Sequence, residues 1–380
     1  MKRNAALDCL RGAAILLVIS NHIGIRIPLL HTALASFLPH QFLVSVNYNG
    51  GEAVSIFFAL SGFLITTRVM QVFGALDRIQ PATFLIHRAI RIAPCLVLLV
   101  CVLGVLDYIG FEDYRFSKPG QSFIGAAMAA FGLYFNIWQA RHGWSVAGWT
   151  VLWSLSIEEL FYLLFPFLCR LNARLRIGLL VILAAAAPVY QATLKGNEIW
   201  KEQATLTGLA TIALGVLMAI IAARYRPIGR WPVAMGLAGM VMTLLEMCGP
   251  SSWWPLLSDG WFAVLYVGIA MLVLACGWRS FEGAQWSWWI RRMGQLSYEV
   301  YLSHMFVVMA VVRIWRHNHW PQSLGWVVYP VCLMVIWGLG ETVSRLFTKP
   351  ISRILDQALT SRIYQKSPTV NSVKISGVQP

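Results

Sequence analysis

Charge is scarce in this chain: only 12% of its 380 residues are Asp, Glu, Lys or Arg, while 58% are Ala, Val, Ile, Leu, Met, Phe, Trp, Tyr or Cys. With glycine counted in place of tyrosine the apolar share is about 63%, against roughly 45–50% for a soluble domain, which excludes an ordinary water-soluble enzyme. Acidic residues are scarcer than basic ones, 16 against 30, leaving a net charge of +14. In a soluble protein that excess would suggest a nucleic-acid footprint. Here no run of Lys and Arg interleaved with aromatics is present, so nucleic acid is not an expected partner. CxxC pairs are also absent. The seven cysteines (Cys9, Cys95, Cys101, Cys169, Cys248, Cys276, Cys332) are odd in number and mostly lie in apolar runs; they read as small core residues rather than a disulfide or zinc framework. No small-residue cleavage site follows the first apolar segment, which starts near Leu7 and carries Asp8 and Arg11. It therefore reads as a retained span, not a signal peptide.

What is present is a series of long apolar runs, near residues 7–25, 52–70, 92–110, 121–138, 149–169, 177–193, 206–223, 231–248, 260–278, 296–314 and 325–346. A span needs about 20 apolar residues, so the expected architecture is an all-α, polytopic membrane bundle. If all eleven runs crossed from an inside N-terminus, 12 Lys and Arg would lie inside and 18 outside, against the positive-inside rule. If the fourth run, around Phe123–Trp138, dips in without crossing, only Arg26, Arg115, Lys118, Arg141, Lys195, Lys201, Arg313 and Arg316 stay outside, and the other 22 of 30 lie inside. The charge pattern thus predicts about ten crossings, both termini cytoplasmic, and one re-entrant or interfacial segment. Such a segment is tolerated where it is buried in protein or lines a wet cavity, so a cavity on the outer side is expected. No internal repeat of the kind that builds many transporters is visible. Residues 1–348 read as the membrane domain and 349–380 as a basic, disordered cytoplasmic tail able to touch anionic lipid.

Ionisable side chains inside spans are costly and are functional candidates by default. Arg11 and His22 are eleven residues apart, which puts them on one helical face about 16 Å apart along the axis; the plain alternative is a snorkelling Arg and a hydrogen-bonded core His. Arg88 and Arg91, at i,i+3, share a face and suit bidentate grip on phosphate, although positive-inside alone would also put a basic pair there. Glu158 and Glu159 interrupt an apolar run. Adjacent residues cannot share a face, so one points inward, as a proton acceptor or an orienting or neutralising partner, while the other snorkels or pairs. Ser297, Tyr301 and His304 fall on one face, suited to a hydroxyl-rich ligand or to helix–helix hydrogen bonding. His317 and His319 sit in a predicted loop without further ligands, so no metal site is expected.

Five blocks in order resemble the membrane-bound acyltransferase 3 family. They are Leu7-Asp8-Cys9-Leu10-Arg11-Gly12 leading to His22, Phe57-Phe58-Ala59-Leu60-Ser61-Gly62-Phe63-Leu64-Ile65, Arg88-x-x-Arg91-Ile92-x-Pro94, Trp153-Ser154-Leu155-Ser156-x-Glu158-x-x-Phe161-Tyr162, and Leu296-Ser297-Tyr298-x-x-Tyr301-Leu302-x-His304. The chain departs from the family pattern at Ala53-Val54-Ser55, at Leu96 and at Thr348-Lys349-Pro350. The resemblance implies about ten spans and an O-acyltransferase that moves an acyl group, typically acetyl, to a hydroxyl of a glycan, glycolipid or glycosylated metabolite, as in surface polysaccharide modification. It implies acetyl-CoA or another acyl-CoA as co-substrate, with no tightly bound cofactor, and a place in the bacterial inner membrane. On that reading Arg88 and Arg91, with Arg11, hold CoA phosphates at the inner mouth. His22 is then a general base or a covalent acyl relay, and Glu158 orients or charge-balances His22 or an arginine. Ser61, Tyr298, Tyr301 and His304 line the acceptor cavity. The competing class is a proton-coupled transporter or flippase of a glycolipid or small molecule, with Arg11, His22 and Glu158 forming its path.

Overall fold

The computed structural model describes residues 4–249, 260–279 and 283–366, and among these it is helical throughout, with no strand. The helices are α1 (Ala5–Gly24), α2 (His40–Tyr48), α3 (Gly50–Phe73), α4 (Pro81–Tyr108), α5 (Phe123–Phe131), α6 (Phe135–His142), α7 (Leu152–Arg170), α8 (Ala173–Thr193), α9 (Glu198–Gln203), α10 (Thr205–Arg224), α11 (Trp231–Cys248), α12 (Trp261–Trp278), α13 (Trp288–Gln295), α14 (Ser297–His317), α15 (Val328–Val343) and α16 (Lys349–Lys366). Among the described residues nine helical stretches are long and apolar enough to cross a membrane: α1, α3, α4, α7, α8, α9 with α10, α11, α14 and the run containing α15. The shorter apolar α12 is about 27 Å long, close to the roughly 30 Å of a hydrocarbon core. The protein is a multi-pass membrane bundle.

The fourth apolar run does not form one helix. It breaks at Leu133, a non-glycine residue with φ 62°, into α5 and α6, of nine and eight residues. Each is roughly 13 Å long, too short to span. Its two ends lie side by side: Gln121 Nε2 donates to the carbonyls of His142 and Gly143 at 2.9 and 3.1 Å, and Ala147 N donates to Asp113 O at 3.2 Å. The segment therefore enters and leaves on one side, as the charge pattern requires. One face of it is buried in protein. Asn136 Nδ2 donates to Gln203 O (3.0 Å) and Thr205 Oγ1 (2.7 Å), and Phe135 and Trp149 stack with centroids 6.1 Å apart in a buried aromatic nest.

Helix α1 is the hub, packing on α2, α3, α13, α14 and α15. Asn4 caps it, its side-chain oxygen accepting from the amides of Ala6 and Leu7 at 3.0 and 3.4 Å, which satisfies orphan donors of the first turn. Small residues let the backbones touch, as interfaces between helices in lipid require. A Cβ at Gly62 of α3 would fall on the carbonyl oxygen of Ile212 in α10, and one at Gly215 on that of Ala59. All seven cysteines are free thiols; Cys95, Cys169 and Cys332 are buried.

The tail read as disordered begins as a helix. Ser344–Thr348 forms a π-helical turn that continues α15 into α16. The apolar spacing of Ile351, Ile354, Leu355 and Ala358 is helical, and Ser352 Oγ donates to Ile90 O of α4 at 3.3 Å. The rest of the tail, 367–380, and the basic Lys2, Arg3 and Lys374 of the charge count lie outside the described residues.

Candidate active site

The polar residues singled out in the sequence gather between α1, α3, α4, α7 and α14, in two groups. The first surrounds the arginines. Arg11 Nη2 donates to Ser297 Oγ at 2.7 Å, joining α1 to α14. Arg88 lies with its guanidinium carbon 4.6 Å from the centroid of the Tyr162 ring and 5.8 Å from that of Phe84, within cation–π range. Arg91 is exposed, whereas Arg11 and Arg88 are half-buried. The three are electrostatic neighbours in a chain, Arg91 acting on both Arg11 and Arg88. Glu158 lies beside them, but its hydrogen bonds go elsewhere: it accepts from Ser61 Oγ at 2.6 Å and, very closely, from the Tyr162 hydroxyl. Tyr162 is four residues after Glu158, on the same helical face, and Ser61 Oγ is 2.6 Å from its hydroxyl. A Ser–Glu–Tyr cluster thus links α3 to α7, and Arg88 sits over its aromatic member.

None of the three arginines closes an ion pair with a carboxylate among the described residues. The contrast with Arg292 is direct. Arg292 donates from Nε at 3.0 Å and Nη2 at 2.6 Å to Glu341, which also takes Arg345. A partly buried guanidinium without such a partner is costly and leaves donors free for an anion.

The second group lies at the far end of α1. The rings of His22 and His304 stand with centroids 5.1 Å apart, and Tyr301 follows at 5.9 Å from His304. Beyond them Arg26 donates to the His22 carbonyl at 2.7 Å. Burial, and then the Arg316 charge, lower the proton affinity of Arg26; Asp113 and Tyr114 oppose them.

The structure thus brings Arg11, Arg88, Arg91 and Glu158 together, and separately His22 and His304. Glu158 stands with the arginines rather than at the His22 ring, whose electrostatic neighbours are His304 and Arg26. The hydroxyls expected to line an acceptor cavity already have protein partners. Ser61 binds Glu158, Tyr298 donates to Ile92 O at 2.8 Å, and Tyr301 is 2.7 Å from Ser154 Oγ. All three make helix–helix contacts, the other use that the sequence offered for Tyr301. Tyr162 was not singled out, although its i,i+4 spacing from Glu158 was visible; the nearness of His304 to His22 had no local signal.

Residues 4–339 match the acyltransferase domain of the acyltransferase 3 family. The chain belongs to that family. This acyltransferase is 27% identical over 333 residues to nodulation protein 10 of Rhizobium leguminosarum bv. viciae, covering 80% of this chain and 85% of that protein. It is 24% identical over 373 residues to O-acetyltransferase OatA of Staphylococcus aureus, covering 91% of this chain but 57% of OatA, so the acyltransferase spans little more than half of that relative's length. No solved structure matches it.

Proposed function

We propose that this membrane acyltransferase moves an acetyl group from cytosolic acetyl-CoA to a hydroxyl of a glycan, glycolipid or glycosylated metabolite at the outer face of a bacterial inner membrane, with both termini cytoplasmic. The observation that carries the reading is the trio Arg11, Arg88 and Arg91: three neighbouring guanidiniums without an ion-paired carboxylate among the described residues, at the end of the bundle that the basic-residue count predicts to be inside. Guanidinium forks match phosphate oxygens, so the trio suits the phosphates of a CoA entering from the cytosol. His22 lies three helical turns farther along the same face of α1, about 16 Å away, where the acyl end would arrive.

In this reading His22 takes the proton of the acceptor hydroxyl, and the oxygen attacks the thioester carbonyl. The C–O bond forms, the C–S bond breaks, and the sulfur leaves with its electron pair and recovers the proton from His22. An imidazole suits both transfers because it titrates near neutrality. Glu158 balances the arginines while no phosphate is bound, held in place by Ser61 and Tyr162. OatA's name, an O-acetyltransferase, supports acetyl as the group and a hydroxyl as the acceptor. Mass spectrometry of surface glycans and lipids from cells with the gene, without it, and with His22→Ala tests the proposal. The account expects an acetyl mass present only with the wild-type gene; identical spectra in all three would overturn it.

A further inference from the structure

His304 is fully buried and occupies an unusual position among the polar residues of its helix. Ser297, Tyr298, Tyr301 and Ser303 all have hydrogen-bond partners. The Nδ1 of His304 is 2.7 Å from the carbonyl oxygen of Tyr301 and 3.2 Å from that of Val300. Carbonyl oxygens only accept, so Nδ1 carries the ring hydrogen. The other nitrogen, Nε2, is then a bare lone pair, and it is buried with no hydrogen-bond partner. Native proteins rarely leave such an atom unsatisfied without a use for it. The ring of His22 lies 5.1 Å from that of His304 between centroids.

We propose that His304 is the positioning residue of His22: its Nε2 accepts the N–H of the His22 ring when the donor and acceptor are bound. That bond would fix which nitrogen of His22 bears hydrogen, so the other faces the acceptor hydroxyl as a base. As His22 takes the hydroxyl proton, the bond to His304 becomes charge-assisted and strengthens, a gain made only as the reaction proceeds. His304 gives and receives no proton; the proton goes from hydroxyl to His22 to the departing sulfur. The orienting role that the sequence reading gave to Glu158 at His22 thereby falls to a neutral histidine from α14.

This inference rests on the proposed general-base role of His22, and its test separates the two. The full chain is expressed as wild type, His22→Ala, His304→Phe and His304→Gln in a deletion strain of its host, and transfer of label from [14C]acetyl-CoA to endogenous acceptors is followed in native membranes. Glutamine places a carbonyl oxygen near where Nε2 stands; phenylalanine keeps the ring and removes the acceptor. His304→Phe should lower kcat about 10²-fold, in the range of general acid–base contributions, with KM for acetyl-CoA within twofold of wild type, while His304→Gln stays within about tenfold of wild type. Gel filtration in detergent verifies assembly, and His304→Leu replaces His304→Phe if the latter does not assemble. Near-normal kcat without the acceptor overturns the inference, as does equal loss in the Gln and Phe variants, or a rise in KM alone. Full transfer by His22→Ala would instead refute the base role itself and take the positioning role with it.

Discussion

At the scale of single residues, the account turns on which charges are compensated. Arg292 and Arg345 share Glu341, the first tying α13 to α15; among the described residues Arg11, Arg88 and Arg91 have no such partner, and the proposal assigns them to an anion. Replacing Arg88 and Arg91 together by Ala should therefore weaken acyl-CoA binding about 10²- to 10⁴-fold, since hydrogen bonds to charged groups contribute about 1.5–3 kcal/mol each. Equilibrium binding of a labelled CoA to the purified protein measures this, and an unchanged affinity would remove their assigned role. Glu158→Gln has the opposite character. It deletes the negative charge near the trio but leaves an acceptor for Ser61 and Tyr162, so the unliganded protein should melt at a lower temperature and recover on adding acyl-CoA. A variant that melts lower and is not rescued by acyl-CoA would speak against charge balance as the role of Glu158. Much of this group was legible in the sequence, because Arg11, Arg88, Arg91 and Glu158 interrupt apolar runs where charge is costly. The α3 partner of Glu158 was less so: Tyr162 stands one helical turn on, but the order of residues does not show that the Ser61 hydroxyl converges on the same carboxylate. His22 and His304 likewise come from opposite ends of the chain, and only the packing of α14 on α1 places their rings together.

At the scale of elements, the bundle depends on places where helices meet backbone to backbone. Gly62 meets Ile212 with no room for a Cβ, whereas Gly51, on the same helix, has nothing near its missing Cβ. Gly62→Ala should cost about 1–3 kcal/mol through overpacking, and Gly51→Ala should be neutral or slightly stabilising through helix propensity. Thermal unfolding of the two variants in detergent checks the contrast; equal midpoints would contradict the close α3–α10 crossing. The α5–α6 hairpin was legible only indirectly. Its hydropathy resembles that of a span, and the side-by-side placement of its ends through Gln121 involves residues whose pairing leaves no periodic trace. The distribution of basic residues revealed it instead, because a single extra crossing reverses every later loop. Helix α16 was missed for a different reason: its Ser and basic residues suggested disorder, while the apolar spacing of Ile351, Ile354 and Leu355 that lets it run against α4 was outweighed by that composition.

At the scale of the whole molecule, scarce charge and abundant apolar residues dictate a bundle, and the excess of basic residues predicts its orientation. Alkaline phosphatase fused after Gly143, at the end of the hairpin, should be active outside, and a fluorescent protein fused after Pro380 should fluoresce inside. A reversed result at either point would undo the count of crossings. Within that frame the central claim is chemical: His22 carries acyl transfer on a donor held by the arginine trio. The most direct measurement uses purified full-length protein in detergent, where no gradient can drive transport, with [14C]acetyl-CoA and a glycan and lipid extract of the host as acceptor. The account predicts label in the acceptor fraction with the wild type and at least about a 10²-fold loss with His22→Ala that elutes as the wild type does in gel filtration. Label transferred by His22→Ala at near the wild-type rate would contradict it.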